Sequence, residues 1–291
     1  YIDASVPTAP FTSFQPRMKE VLYSVDHAVD KFYIRTNLAA KNFKIMTSAE
    51  NKTDSSAWKE LIPHDDKVLI QGFDLFKGFL AISERKNGLT QIHILNTKDN
   101  SSHYLPFEEA AYAANISYSP DYNTDVMRYS YTSLTTPNSV YDYNMSTKAK
   151  KLMKQQEVLG TFNPKDYETE RVMATAKDGT KIPVSIVYKK GYKKDGNAPL
   201  LLYGYGSYGA SMEASFSSTR LSLLDRGFAY AIAHIRGGQE MGRSWYEDGK
   251  MFKKINSFTD FINCAEFLVS NKYTSKEHLY TMGGSAGGLL M

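Results

Sequence analysis

An all-β repeat followed by an α/β unit is the fold class that this sequence predicts. Three observations carry it. Short apolar strands recur at a fixed long spacing through the first half. Near residue 160 the pattern changes to buried strands alternating with helices. The last strand runs into a serine set among four glycines, in "YTMGGSAGGLLM" (280–291).

Composition sets the frame. The chain has 291 residues, 42% hydrophobic and 23% charged, which is enough apolar material for a sizeable core. The length suggests roughly two domains. No apolar run approaches the ~20 residues that cross a bilayer. The first residues, "YIDASVPTAPFTSFQP", lack a charged head followed by an apolar stretch, so no signal peptide is read there. They also lack an initiating Met. The formal net charge is +4, with lysines clustered in 148–154 and 189–194. No nucleic-acid motif or aromatic stacking pattern accompanies them, so they read as solvated loops. Cys264 is the single cysteine and no intramolecular disulfide is possible. That fits a reducing compartment, and a cytoplasmic location is the expectation. Metal-ligand spacings of Cys and His are absent, and no cofactor, membrane or nucleic acid is expected as a partner.

Residues 20–158 read as short strands broken by polar turns. "KFYIRTN", "GFLAISE" and "DVMRYSY" have the β-branched and aromatic content of strands. Phe32, Phe79 and Val126 stand 47 residues apart at their starts. A second strand follows each: "NFKIMTS", "TQIHILN" and "NSVYDYN". A strand-only repeat of this period implies propeller blades, about three of them, rather than an antiparallel sandwich.

Beyond a boundary near 155–165, "RVMATAKDGTKIPVSIVYKK" reads as two strands joined at an Asp178-Gly179 turn. "APLLLYGYG" is a buried strand, "SFSSTRLSLLDRG" a helix stopped by Gly227, and "FAYAIAH" a second buried strand. "INSFTDFINCAEFLVSNK" is a long helix with Phe258, Phe261, Ala265 and Leu268 on one face, which makes Cys264 a buried structural thiol. "HLYTM" is a third strand. Apolar strands separated by helices imply a mainly parallel sheet covered on both faces.

The glycine-flanked serine fits Gly-x-Ser-x-Gly, the nucleophile elbow, over 283–287. The serine must turn sharply from strand to helix in a strained conformation. Side chains at 283 and 287 would collide across that turn, so both are glycine. Ser285 is then presented above the carboxyl end of the sheet, and the Ala286 amide points where an oxyanion forms. A competing signal is "GYGSYG" (204–209), which matches the G-x-G-x-x-G dinucleotide fingerprint after a strand and suggests an oxidoreductase. That fingerprint needs an acid at the end of the next strand. The strand instead ends in His234 and Arg236, and Asp225 falls before it begins.

"LLLYGYGSYGASMEASFS", "AIAHIRGGQEMGRSWYEDGK" and "YTMGGSAGGLLM" resemble the prolyl oligopeptidase family of serine peptidases, and within it the oligopeptidase B group most closely. The resemblance extends upstream through "RYSYTSLTTPNSVYDYN" and covers nearly all of the chain beyond residue ~20. It implies a seven-bladed β-propeller, only part of which is present, joined to an α/β-hydrolase domain: residues 1–158 and 159–291 respectively. It implies hydrolysis of short basic peptides after Arg or Lys, with post-proline cleavage as the alternative. Ser285 matches the nucleophile, and Tyr205 the tyrosine that completes the oxyanion hole with the Ala286 amide. Glu213 matches one of two acids that bind basic substrate side chains; Ser215 stands where the other falls. All six histidines, at 27, 64, 93, 103, 234 and 278, precede Ser285. The hydrolase order is serine, acid, histidine, so the expectation is an internal fragment whose acid and histidine lie beyond Met291.

Overall fold

In the computed structural model, which describes residues 1–291, the first half forms three successive four-stranded sheets. The first holds β1 (Tyr23–Ala28), β2 (Lys31–Thr36), β3 (Lys44–Ala49) and β4 (Lys59–Ile62). The second holds β5 (Val68–Phe76), β6 (Phe79–Lys86), β7 (Leu89–Asn96) and β8 (Ser102–Tyr104). The third holds β9 (Tyr112–Ile116), β10 (Val126–Ser133), β11 (Ser139–Asn144) and β12 (Lys150–Gln155). Each strand pairs antiparallel with the next. The 47-residue spacing is thus the step between second strands, from β2 to β6 to β10. One tight link is Asn87-Gly88 between β6 and β7, with φ of 52° and 78°. Two consecutive positive φ values define the type I′ turn, whose twist matches that of the strands it joins.

The sheets stack by their apolar faces. Ile45, Leu69, Leu80 and Ile82 fill the space between the first and second. Ile92, Ile94, Met127 and Tyr129 fill it between the second and third.

The second half is built on one five-stranded sheet. Its elements are β13 (Tyr167–Thr175), β14 (Lys181–Lys189), β15 (Leu200–Tyr203), α1 (Ser218–Leu224), β16 (Ala229–Ala233), α2 (Arg243–Glu247), α3 (Ile255–Ser270), β17 (Leu279–Met282) and α4 (Ala286–Leu290). The strand order is β13-β14-β16-β15-β17. Only β15 with β16 and β15 with β17 pair in parallel; β14 is antiparallel to both neighbours. Over these residues the sheet is therefore mixed rather than mainly parallel. The reason is connection length. The Asp178-Gly179 turn can only return the chain antiparallel, whereas α1 and α3 are the crossovers that parallel pairing requires.

Helix α1 is shorter than its sequence pattern suggests. The Phe216 N–H donates to Thr132 Oγ1 of β10 at 3.0 Å, which ties the residues before the helix to the third sheet. The short α2 has no sequence signal of its own. Helix α3 buries Phe261, Cys264 and Leu268 against the sheet, with Phe258 and Ala265 packed alongside. Burial pushes the Cys264 thiol pKa well up, so it stays protonated and inert.

The two halves touch directly. Ala111 and Leu134 share one apolar cluster with Tyr167, Val187, Leu224 and Ile232. Asn42 Oδ1 accepts the Arg243 N–H at 2.9 Å.

Candidate active site

Ser285 has φ 54° and ψ −121°, between the end of β17 and the first residue of α4. A non-glycine residue reaches that conformation only at a cost of roughly 1–3 kcal/mol, so the surroundings must enforce it. They do so by close backbone approach. A Cβ on Gly283 would overlap the backbone of Gly287, and one on Gly287 would lie 2.7 Å from the Gly204 carbonyl oxygen. Both glycines are therefore sterically required. Gly287 and Gly288 donate their N–H groups to the carbonyls of Gly284 and Ser285 at 2.8 and 2.9 Å. The Ala286 N–H, at the first position of α4, is left as an uncommitted donor. Ser285 itself is exposed.

Tyr205 arrives beside this turn because of strand register. In the parallel pair β15–β17, Tyr203 is opposite Met282. The loop after β15 and the elbow after β17 thus leave the sheet side by side at its carboxyl edge. The Gly204 N–H donates to the Met282 carbonyl at 3.3 Å, and a Cβ on Gly287 would lie 3.4 Å from the Tyr205 ring. Residues that the sequence did not single out hold the loop. The Lys254 ammonium donates to the Gly206 carbonyl at 2.5 Å and to Ser207 Oγ at 2.7 Å. Ser257 Oγ donates to the Arg236 carbonyl at 2.6 Å. Arg236 grips Asp260, fully buried on α3, with bonds of 2.8 and 2.6 Å. The "RGGQE…KKINS" stretch gave no local signal for these contacts, since each joins distant segments.

The glycines of 204–209 serve this packing rather than a nucleotide. Added Cβ atoms would strike Phe261 and Leu290 at Gly204, Ile235 at Gly206 and Gln239 at Gly209. Each of these glycines is thus required by a side chain of this chain packed against its backbone. Asp225, the one acid near the expected distance, accepts from Tyr167 at 3.0 Å and Lys189 at 2.8 Å. The nearby histidines are also committed elsewhere. His234 is buried with Nε2 2.7 Å from Ser185 Oγ. His278 precedes β17, at the end opposite Ser285.

Glu213 lies on a polar cavity of about 340 Å³ between the two halves. Arg35, Gln71 and Arg85 from the first half line it, with Ser211, Glu213 and Gln239 from the second. The Glu213 carboxylate is engaged there by the Arg85 guanidinium. Ser215 contributes no second carboxylate.

A glycine-locked serine at a strand-to-helix turn, on an α/β sheet joined to stacked four-stranded β-sheets, defines the class of propeller-bearing α/β hydrolases. The chain belongs to the prolyl oligopeptidase family. The model of that family's N-terminal β-propeller domain matches residues 1–156, and the prolyl oligopeptidase family model matches 214–291. The chain is 50% identical over 283 residues to dipeptidyl aminopeptidase BI of Pseudoxanthomonas mexicana, covering 97% of this chain and 39% of that one. It is 37% identical to protease 2 of Moraxella lacunata, over 100% of this chain and 41% of the relative. Oligopeptidase B from Trypanosoma brucei, in a closed form with covalently bound antipain, superposes with a TM-score of 0.89 at 40% identity, covering 94% of this chain and 40% of that structure. The chain thus spans about two fifths of the length of these relatives.

Proposed function

We propose that this chain belongs to a serine oligopeptidase that hydrolyses short peptides after Arg or Lys through an acyl-enzyme. The single observation that carries the reading is the Ser285 elbow, with its strained backbone, free Ala286 amide and adjoining Tyr205 loop. In this mechanism Ser285 Oγ attacks the scissile carbonyl while a base from outside these residues takes its proton. The tetrahedral oxyanion accepts from the Ala286 N–H and the Tyr205 hydroxyl. Collapse expels the amine, which receives the proton that the base took from Ser285, and leaves the acyl-serine, which water then hydrolyses with the same base accepting its proton. Residues 1–158 act as part of a seven-bladed propeller that limits access to the site, and 159–291 carry the nucleophile half of the hydrolase domain. Glu213, on the cavity between them, is the acid placed to meet a basic side chain next to the cleavage point, within the limit set by its own ion pair with Arg85.

The likeness to protease 2 and oligopeptidase B agrees with the oligopeptidase B resemblance of the sequence, and it is that resemblance that implies cleavage after basic residues. The test compares kcat/KM of the full-length enzyme on peptide amides ending in Arg, Lys or Pro. The reading expects Arg and Lys to exceed Pro by at least about 10²-fold, a modest share of the roughly 10⁴–10⁵ that a built polar subsite can give over a substrate lacking its partner group. Faster cleavage after Pro would overturn the specificity.

A further inference from the structure

Glu213 already has a cation. Arg85, on β6, places Nη2 against Glu213 Oε1 and Nη1 3.5 Å from Oε2. The Arg85 side chain is only 2% exposed, against 31% for Glu213. Its remaining contacts are weak: Nη1 to the Gly88 carbonyl at 3.4 Å, while buried Nε has no partner. Glu213 is therefore the group that neutralises a buried guanidinium, and removing it would leave that charge uncompensated. The cavity adds a second guanidinium. Arg35 donates from Nε to the Ile70 carbonyl at 2.7 Å and lies 3.4 Å over the Phe43 ring. Two guanidiniums thus face one carboxylate, and the other polar lining groups are neutral.

We propose that Arg85 is a specificity-determining residue: an internal cation, supplied by the propeller half, which occupies Glu213 and competes with a basic substrate side chain for it. The proposal rests on the peptidase reading above. An incoming Lys or Arg next to the cleavage point gains little from Glu213 while Arg85 is seated, because it must displace a buried ion or share its carboxylate. With Ser215 neutral, no second acid receives it. Replacing Arg85 by an apolar residue of similar length frees the carboxylate.

The experiment uses the full-length enzyme and two arginyl amides, one with Arg and one with Ala before the cleaved Arg. The readout is the ratio of their kcat/KM values. The wild-type ratio is expected within about threefold of unity. Arg85→Met raises it about tenfold or more, the scale of one partly desolvated charge pair. Adding Glu213→Gln to Arg85→Met returns it to the wild-type value. An unchanged or lowered ratio in folded Arg85→Met overturns the proposal while leaving arginyl cleavage intact. If that variant does not fold, Arg85→Lys keeps the charge but loses the two-pronged fork; a rise of about threefold supports the proposal and no rise overturns it. Failure of the wild type to cleave either amide overturns the peptidase reading itself, and this inference with it.

Discussion

Gly287→Ala separates the elbow's catalytic geometry from simple stability. The new methyl group would start 2.7 Å from the Gly204 carbonyl oxygen and 3.4 Å from Tyr205 Cα, where ordinary contact begins at 3.4 Å. Gly204 or α4 must therefore shift by about 0.7 Å, and the Gly204 peptide leads directly into Tyr205. Overpacking of this kind costs about 1–3 kcal/mol. Alanine in place of glycine in a helix recovers up to about 1 kcal/mol. The net destabilisation is about 0–2 kcal/mol, a melting shift of a few degrees. Catalysis is more sensitive, because a displacement approaching 1 Å at the reacting groups can cost about 10²-fold. The full-length Gly287→Ala enzyme should thus lose about 10- to 100-fold in kcat on an arginyl amide, with KM nearly unchanged and the fold retained by circular dichroism. Wild-type kcat in this variant would refute the coupling between the elbow and the Tyr205 loop.

Two further perturbations follow from the same site. Tyr205→Phe should lower kcat by about 10²–10³, or about 2.7–4 kcal/mol, with a thermal midpoint close to wild type, because one oxyanion donor is lost; steady-state kinetics at saturating substrate check this. Arg236→Met strands the fully buried Asp260 carboxylate and should cost about 3–5 kcal/mol in chemical denaturation, with more than half regained when Asp260→Asn is added.

Much of this organisation was legible in the sequence because its causes are local. The elbow demands glycine at 283 through a contact with Gly287 four residues on, so the motif reads locally, whereas the approach of the Gly204 carbonyl that excludes a side chain at 287 comes from a distant segment. The 47-residue step is legible because the strands recur at that spacing in the sequence, and a turn such as Asn87-Gly88 carries its own conformational signal. The amphipathic face of α3 likewise reads directly as burial. Contacts between distant segments left no such trace. Arg85 and Glu213 are 128 residues apart, and "SERK" in β6 looks like an exposed charged strand end, yet Glu84 and Arg85 are both buried. Only the docking of the two halves brings Arg85 to Glu213. The mixed sheet was missed for a related reason: apolar strands of either direction look alike in sequence, and the β14–β16 antiparallel pairing is set by tertiary assembly.

If Ser285 is an activated nucleophile, covalent labelling will find it. The full-length enzyme is treated with a fluorophosphonate probe, digested and mapped by mass spectrometry. A single modified site at Ser285 and no labelling of the Ser285→Ala variant are expected; equal labelling of both proteins, or modification at another serine, would rule Ser285 out as the nucleophile.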